Sequence, residues 1–208
     1  KNSSRTIGIS KTNYEYFNKN IINIEKIIWK LKKIEIYSDN SVSEKILNFE
    51  NNKDQLFSII KNTQIYELLN KSLFKNKFFK KVKFEKKKFK LEDYDLIINT
   101  DFNNPLTKKY FSKKIEKTYN SSAYTTVIDH QQITNDVAIQ IFSKIGPIAF
   151  LPISKNRTSI VYSVHNSKNH HDDKIIGLIK KYKSKYKIKK IDKLEKFILK
   201  SFVLRSYY

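Results

Sequence analysis

Two apolar runs joined by a short polar connection constrain this chain more than anything else in it. Residues 146–153 read Gly-Pro-Ile-Ala-Phe-Leu-Pro-Ile, and residues 158–163 read Thr-Ser-Ile-Val-Tyr-Ser; Ser154, Lys155, Asn156 and Arg157 lie between them. β-Branched and aromatic residues favour the pleat, and Asn and Ser favour the turn, so the spacing predicts two strands and a hairpin. The first run is apolar at both parities, which predicts a strand covered on both faces. Pro147 and Pro152 cannot donate to a ladder and are expected at its ends or at an irregular edge. Alternation sends Ile148, Phe150 and Pro152 to one face and Ala149, Leu151 and Ile153 to the other. In a chain this polar, such a strand is expected to wall something other than a plain core.

Other patterns place the neighbouring elements. Thr12 or Asn13 can cap a helix carrying Tyr14 and Phe17, and the spacing of Ile24, Ile27, Ile28 and Leu31 predicts a second helix from Ile21 to Leu31. Trp29 lies off that stripe and reads as partly buried packing. Residues 33–38 alternate like a strand, 46–49 can pair with it, and 56–60 read as a further strand. Asn62 or Thr63 then caps a helix with Ile65, Leu68, Leu69 and Leu73 on one face. Residues 78–84 and 87–91 read as strands about a Lys-rich turn, 95–100 as a buried strand of the parallel kind, and 117–129 and 136–142 as strands. His165, His170, His171, Asp172 and Asp173 lie close in sequence. Metal ligation is conceivable for such a group, but adjacent histidines diverge on a helix, and Asp172 before Ile175, Ile176 and Ile179 makes the better N-cap. Residues 194–199 are expected to return to helix.

The net charge of +22 invites a nucleic-acid reading. Only Arg5, Arg157 and Arg205 are arginines, however, and base-edge and bidentate phosphate recognition favour the planar guanidinium. No specific nucleic-acid partner is therefore expected, while attraction to an anionic membrane surface follows from the lysines. There is no cysteine, hence no disulfide framework or thiol chemistry, and no methionine. No run of about 18 or more uncharged apolar residues occurs, so no spanning helix is expected. A cytoplasmic protein, peripheral at the inner membrane face, is the expectation.

The block Asn135-Asp136-Val137-Ala138-Ile139-Gln140-Ile141-Phe142, then Gly146-Pro147-Ile148-Ala149-Phe150-Leu151-Pro152, then Ser159-Ile160-Val161-Tyr162-Ser163, resembles the substrate-domain signature of the ubiquinone-biosynthesis hydroxylases. These are flavin-dependent aromatic-ring monooxygenases, similar in fold to para-hydroxybenzoate hydroxylase. Arg5 to Ser10, Ile34 to Asp39 and Asp95 to Asp101 resemble further segments in the family's order. The resemblance implies an α+β fold of the flavin-monooxygenase kind. Its parts would be a large mixed sheet with helices on one side and partial nucleotide-binding, Rossmann-like elements. Residues 1–32 and 56–112 would be remnants of the FAD-binding domain, and 33–55 with 113–208 the substrate-binding sheet domain.

The resemblance implies cofactor contacts from Arg5, at a basic position near the flavin phosphates, and from Lys61, Tyr66 and Asp101. It implies substrate contacts from Gly146, Pro147, Ile148, Phe150 and Pro152. FAD and NAD(P)H would be the cofactors. A polyprenylated phenol and O2 would be the substrates, with a multi-enzyme ubiquinone-synthesis complex as partner. The pattern departs from the family in places. Thr100-Asp101-Phe102 stands for its Ala-Asp-Gly, and Tyr66 stands where an arginine is usual. Gly8, Gly146 and Gly177 are the only glycines, so the glycine-rich turn that approaches a pyrophosphate has no counterpart. The chain is accordingly expected to be an internal section of a flavin enzyme. Two alternatives stand beside that reading: a catalytically degenerate relative that binds quinone precursors or scaffolds partner enzymes, and a basic nucleic-acid-binding module.

Overall fold

The computed structural model describes residues 4–39, 45–51, 55–82, 90–101, 103–165, 172–182 and 186–207. They divide into two compact units, one of residues 1–72 with 120–199 and one of 73–119 with 200–208.

The first unit holds two sheets. The smaller is antiparallel, in the order β1 (Thr6–Ser10), β5 (Phe57–Lys61), β2 (Ile28–Leu31). Helices α1 (Lys11–Asn20) and α2 (Asn62–Phe74) pack on it, with Tyr14, Phe17, Ile65 and Leu68 set against buried Ile9, Ile24 and Ile60. Ser10 caps α1 by accepting the Asn13 N–H, which satisfies one of the donors a helix start leaves open. The larger sheet runs β10 (Ile188–Ile191), β6 (Phe111–His130), β9 (Arg157–His165), β8 (Gly146–Ser154), β7 (Val137–Ser143), β3 (Lys33–Ser38), β4 (Lys45–Glu50), and β11 (Glu195–Tyr207) also pairs with β6. It is mixed, because β3 and β7 are parallel while the other registered neighbours are antiparallel. Helix α4 (Asp172–Lys181) covers one face through Ile175 and Ile179. The second unit includes α3 (Pro105–Tyr110) and a short 3-10 turn at Leu91–Asp93.

The central hairpin forms as expected, with β8 and β9 antiparallel about Lys155 and Asn156. Both faces of β8 are covered along part of its length. Ile148 and Phe150 lie in the main core, while Leu151 and Ile153 pack on Leu31 and Ile59 of the smaller sheet. The prolines sit inside the strand but near its ends, and the register slips just after Pro152, where a missing donor costs least.

Four expectations are corrected. Residues 25–31 form a 3-10 turn and β2 instead of a helix. The Ile24 and Leu31 positions suit either period, and Leu31 is buried here between the two sheets. Residues 195–199 belong to β11, where half-buried and exposed positions alternate with the strand period of two. Residues 95–100 form no strand, and Leu96 and Ile98 are about three-quarters exposed (75% and 78%); no strand among the described residues flanks them to complete a parallel ladder. Residues 78–82 are likewise irregular, and 83–89 lie outside the described residues. Among the described residues, no helix is long and apolar enough to cross a membrane.

Charge fastens the β4 edge. Burial disfavours the Glu35 carboxylate, but bonds from Lys45 (2.8 Å), Tyr37 (2.8 Å) and Lys33 outweigh it and hold the group below its ordinary value of 4.5. A depressed carboxyl contributes stability that is complete above its unfolded value and is lost as pH falls through the folded one. The β4 amides are therefore expected to lose hydrogen-exchange protection as pH drops below 4.5. A Glu35→Gln chain should have weaker protection at neutral pH and a smaller further loss on acidification, the remainder coming from Glu50, whose carboxylate Lys33 holds below its ordinary value in the same way. Acid-insensitive protection in the native chain would contradict this.

Candidate functional site

Pairing of β1 with β5 brings the chain start beside α2: Thr6 lies opposite Lys61, and the Asn62 N–H donates to the Arg5 carbonyl at 3.0 Å. Helix α2 begins directly where β5 ends, so its first turn faces Arg5. The result is an open cleft of about 470 Å3 lined by Arg5, Asn62, Thr63, Ile65, Tyr66, Glu67 and Leu69. The exposed Arg5 guanidinium carbon lies 4.8 Å from the centre of the Phe197 ring, a contact that restrains a long side chain without neutralising its charge. The cleft thus offers a cation, an exposed phenol ring and an apolar floor.

Two of the expected cofactor residues, Arg5 and Tyr66, therefore meet in one cleft. Lys61 is adjacent in sequence but half-buried in a separate charged group. There Arg157 donates to Asp129 (2.6 Å) and Asp192 (3.1 Å). Burial, then repulsion from Arg157, lowers the Lys61 pKa, with Asp129 and Asp192 partly opposing this. Asp101 belongs to the other unit, where it is exposed and accepts the Asn103 N–H at 2.9 Å. Phe102 lies outside the described residues, as do His170 and His171.

The expected substrate residues separate by face. Ile148, Phe150 and Pro152 are buried, and they sit in register with Tyr162, Ile160 and Thr158. Tyr186 stacks on Phe150 with ring centres 5.8 Å apart. None of the three lines the Arg5 cleft or the cavity beside Trp29. Gly146 is buried at a φ of 146°, and its carbonyl accepts from Ser143 Oγ at 2.6 Å. Pro147 and Ala149 are half-buried on the opposite face. There the register aligns Ile36, Gln140, Ala149 and Val161 in one row across four strands, with Phe142 and Pro147 in the next. Toward the other end of the same face, Leu151 is covered by the smaller sheet. The row of Ile36, Gln140, Ala149 and Val161 was hidden in the sequence. The alternation in 146–153 was visible, but which parity α4 would cover was not.

A second cavity of about 380 Å3 is lined by Trp29, Gln132, Ile133, Thr134, Asn135, Asp136 and Lys155. Trp29 Nε1 donates to the Asn135 carbonyl at 2.6 Å, and Asn135 Nδ2 donates to Ser154 O and Thr158 Oγ1. Trp29 thus serves packing and also borders a cavity. Among the described residues, no group of three or more His, Cys, Asp or Glu is placed to hold a metal ion.

No protein-family model and no curated protein sequence matches this chain. Solved structures do match it. An Arg-to-Gln variant of Klebsiella pneumoniae HpxO complexed with FAD superposes with a TM-score of 0.66 at 11% identity, covering 97% of this chain and 63% of that one. HpxO of the same organism complexed with FAD and uric acid gives 0.63 at 10% identity, covering 97% and 61%. The tetracycline destructase Tet(51) gives 0.54 at 8% identity, covering 98% and 61%. The chain thus has the α+β fold of these structures, with a large mixed sheet, and spans a little over six-tenths of their length.

Proposed function

We propose that this chain is the substrate-sheet portion, with part of the cofactor cleft, of a flavin-dependent monooxygenase. The observation that carries the reading is the superposition of nearly the whole chain on FAD-complexed HpxO. The Arg5–Tyr66 cleft fits part of such a cofactor, since a guanidinium pairs with phosphate and a ring supports stacking. With three glycines far apart in sequence, the chain supplies no glycine-rich pyrophosphate turn. Bound flavin would supply the redox chemistry with O2. The chain itself would hold an anionic part of the cofactor at Arg5. It would also present the half-open row of Ile36, Gln140, Ala149 and Val161, with Phe142 and Pro147 in the next row, as a largely apolar wall that keeps water from the substrate.

The substrate class we infer is an electron-rich phenol carrying a polyprenyl tail, as in ubiquinone synthesis. One oxygen atom of O2 would enter a ring C–H bond, and the other would leave as water. NAD(P)H would give up a hydride, which carries two electrons and one proton, and one further proton from solvent would complete the water, leaving NAD(P)+. The largely apolar character of the open row, with Gln140 its one polar member, supports a ring-bearing, greasy substrate. The change at Asp101-Phe102 favours, as a second reading, a non-catalytic relative that binds the same phenols or scaffolds partner enzymes.

The full polypeptide carrying this chain, supplied with FAD, NAD(P)H and a short-chain prenylated phenol, should yield the hydroxylated ring. Uric acid serves as the competing substrate. Phenol binding without any flavin uptake would select the second reading, and binding of neither would overturn both. Arg5→Gln is expected to weaken FAD binding by about tenfold; an unchanged affinity would remove Arg5 from the site. Ala149→Phe should depress turnover while leaving FAD affinity unchanged, because it fills the open row and does not touch the Arg5 cleft; full activity in that variant would remove the row from the site.

A further inference from the structure

We propose that residues 73–82, at the end of α2 and beyond it, dock the protein on an anionic lipid surface. This deepens the reading above, since a polyprenylated substrate resides in a bilayer. The physical argument nevertheless stands on the segment itself. Leu73, Phe74, Phe78 and Val82 are exposed, Phe78 to 85%. A scattered apolar side chain at a surface needs no explanation, but four within ten residues concentrate exposed apolar surface in one short segment. Lys75, Lys77, Lys80 and Lys81 are interleaved with them, and no acidic residue occurs between Glu67 and Glu85.

The geometry is local and consistent. Phe79 meets Phe74 edge-on with ring centres 5.7 Å apart, Lys81 Nζ lies 5.6 Å from the Phe74 ring centre, and Lys77 Nζ lies 5.0 Å from that of Phe78. Rings that can enter the acyl boundary thus stand beside ammonium groups that can reach lipid phosphates, the arrangement an interfacial surface requires. A single-stranded nucleic acid is a poorer fit. Base stacking needs free ring faces, yet Phe74 carries Lys81 over its ring. Leu73 and Val82 offer nothing to a base, and the segment has no arginine.

The full chain is mixed with vesicles of phosphatidylcholine alone or of phosphatidylcholine with phosphatidylglycerol, and bound protein is measured by co-sedimentation. Binding is expected only with the anionic lipid, weakening as salt is raised. Replacing Lys75, Lys77, Lys80 and Lys81 together by glutamine should weaken it on the order of 100-fold or more. Phe74→Ser with Phe78→Ser should weaken it by at least about tenfold, and Phe78→Ser alone should weaken it without moving the thermal midpoint, because that ring is 85% exposed. In a Trp29→Phe background, Phe78→Trp should shift its emission to the blue on vesicle addition. Equal binding to neutral vesicles, indifference to both sets of variants, a tryptophan that stays in water, or release from vesicles by a single-stranded oligonucleotide that binds more tightly would each overturn the proposal. The assay contains no flavin, so its failure is distinct from failure of the monooxygenase reading.

Discussion

Replacing Phe150 with alanine should cost about 3–5 kcal/mol of folding stability, the range for deleting a fully buried aromatic side chain. Phe150 is 1% exposed, faces Ile139 and Ile160 on the adjoining strands and stacks on Tyr186. Its face of the sheet packs with Ile175 and Ile179 of α4, so little freedom exists to close the space left behind. A domain of this kind has about 5–15 kcal/mol in total, and the substitution should therefore remove a large share of it. Urea unfolding of the two chains gives the difference directly. A cost under about 1 kcal/mol would mean that this face borders open space, and the substrate wall would then belong on Ile148, Phe150 and Pro152 instead of the opposite row.

The second large effect is expected at Gly146. Its φ of 146° is one that L side chains rarely adopt, and a Cβ built there would lie 2.0 Å from the Ser163 carbonyl oxygen. Gly146→Ala therefore adds backbone strain to a contact that only main-chain movement can relieve. The expected loss is about 2–4 kcal/mol. Gly177 is the control: it lies in α4, and a Cβ there would meet nothing within 4 Å. Gly177→Ala should stabilise by about 0.5–1 kcal/mol. The two substitutions are thus predicted to have opposite signs. Equal and small effects at both positions would contradict the close approach of the Ser143–Gly146 corner to β9.

The hairpin of β8 and β9, the pairing of β3 with β4 and the α4 stripe of Ile175 and Ile179 were legible in the sequence because each is a local period bounded by polar residues. The segment 25–31 was not. Its isoleucines satisfy helical spacing, yet their burial comes from the partner strand β5 and from Leu31 beneath the larger sheet, neither of which local periodicity contains. The apolar run at 95–100 misled for the opposite reason: it has strand composition but no flanking strand among the described residues. At the site, Arg5 and Tyr66 lie 61 positions apart and meet only through the β1–β5 register. Lys61, next to that cleft in sequence, shares the strand parity of Ile59, which packs toward the larger sheet, and so lies in the field of Arg157, Asp129 and Asp192 instead of the cleft.

The most direct test of the central claim is the flavin content of the full polypeptide that carries this chain. The protein is purified in the presence of FAD, freed of excess, and denatured, and the released flavin is quantified by absorbance. Equimolar FAD, with occupancy reduced by Arg5→Gln, is the result expected of a flavin-monooxygenase fold that uses the Arg5–Tyr66 cleft. A colourless protein that releases no flavin, with its melting temperature unmoved by saturating FAD, would contradict it.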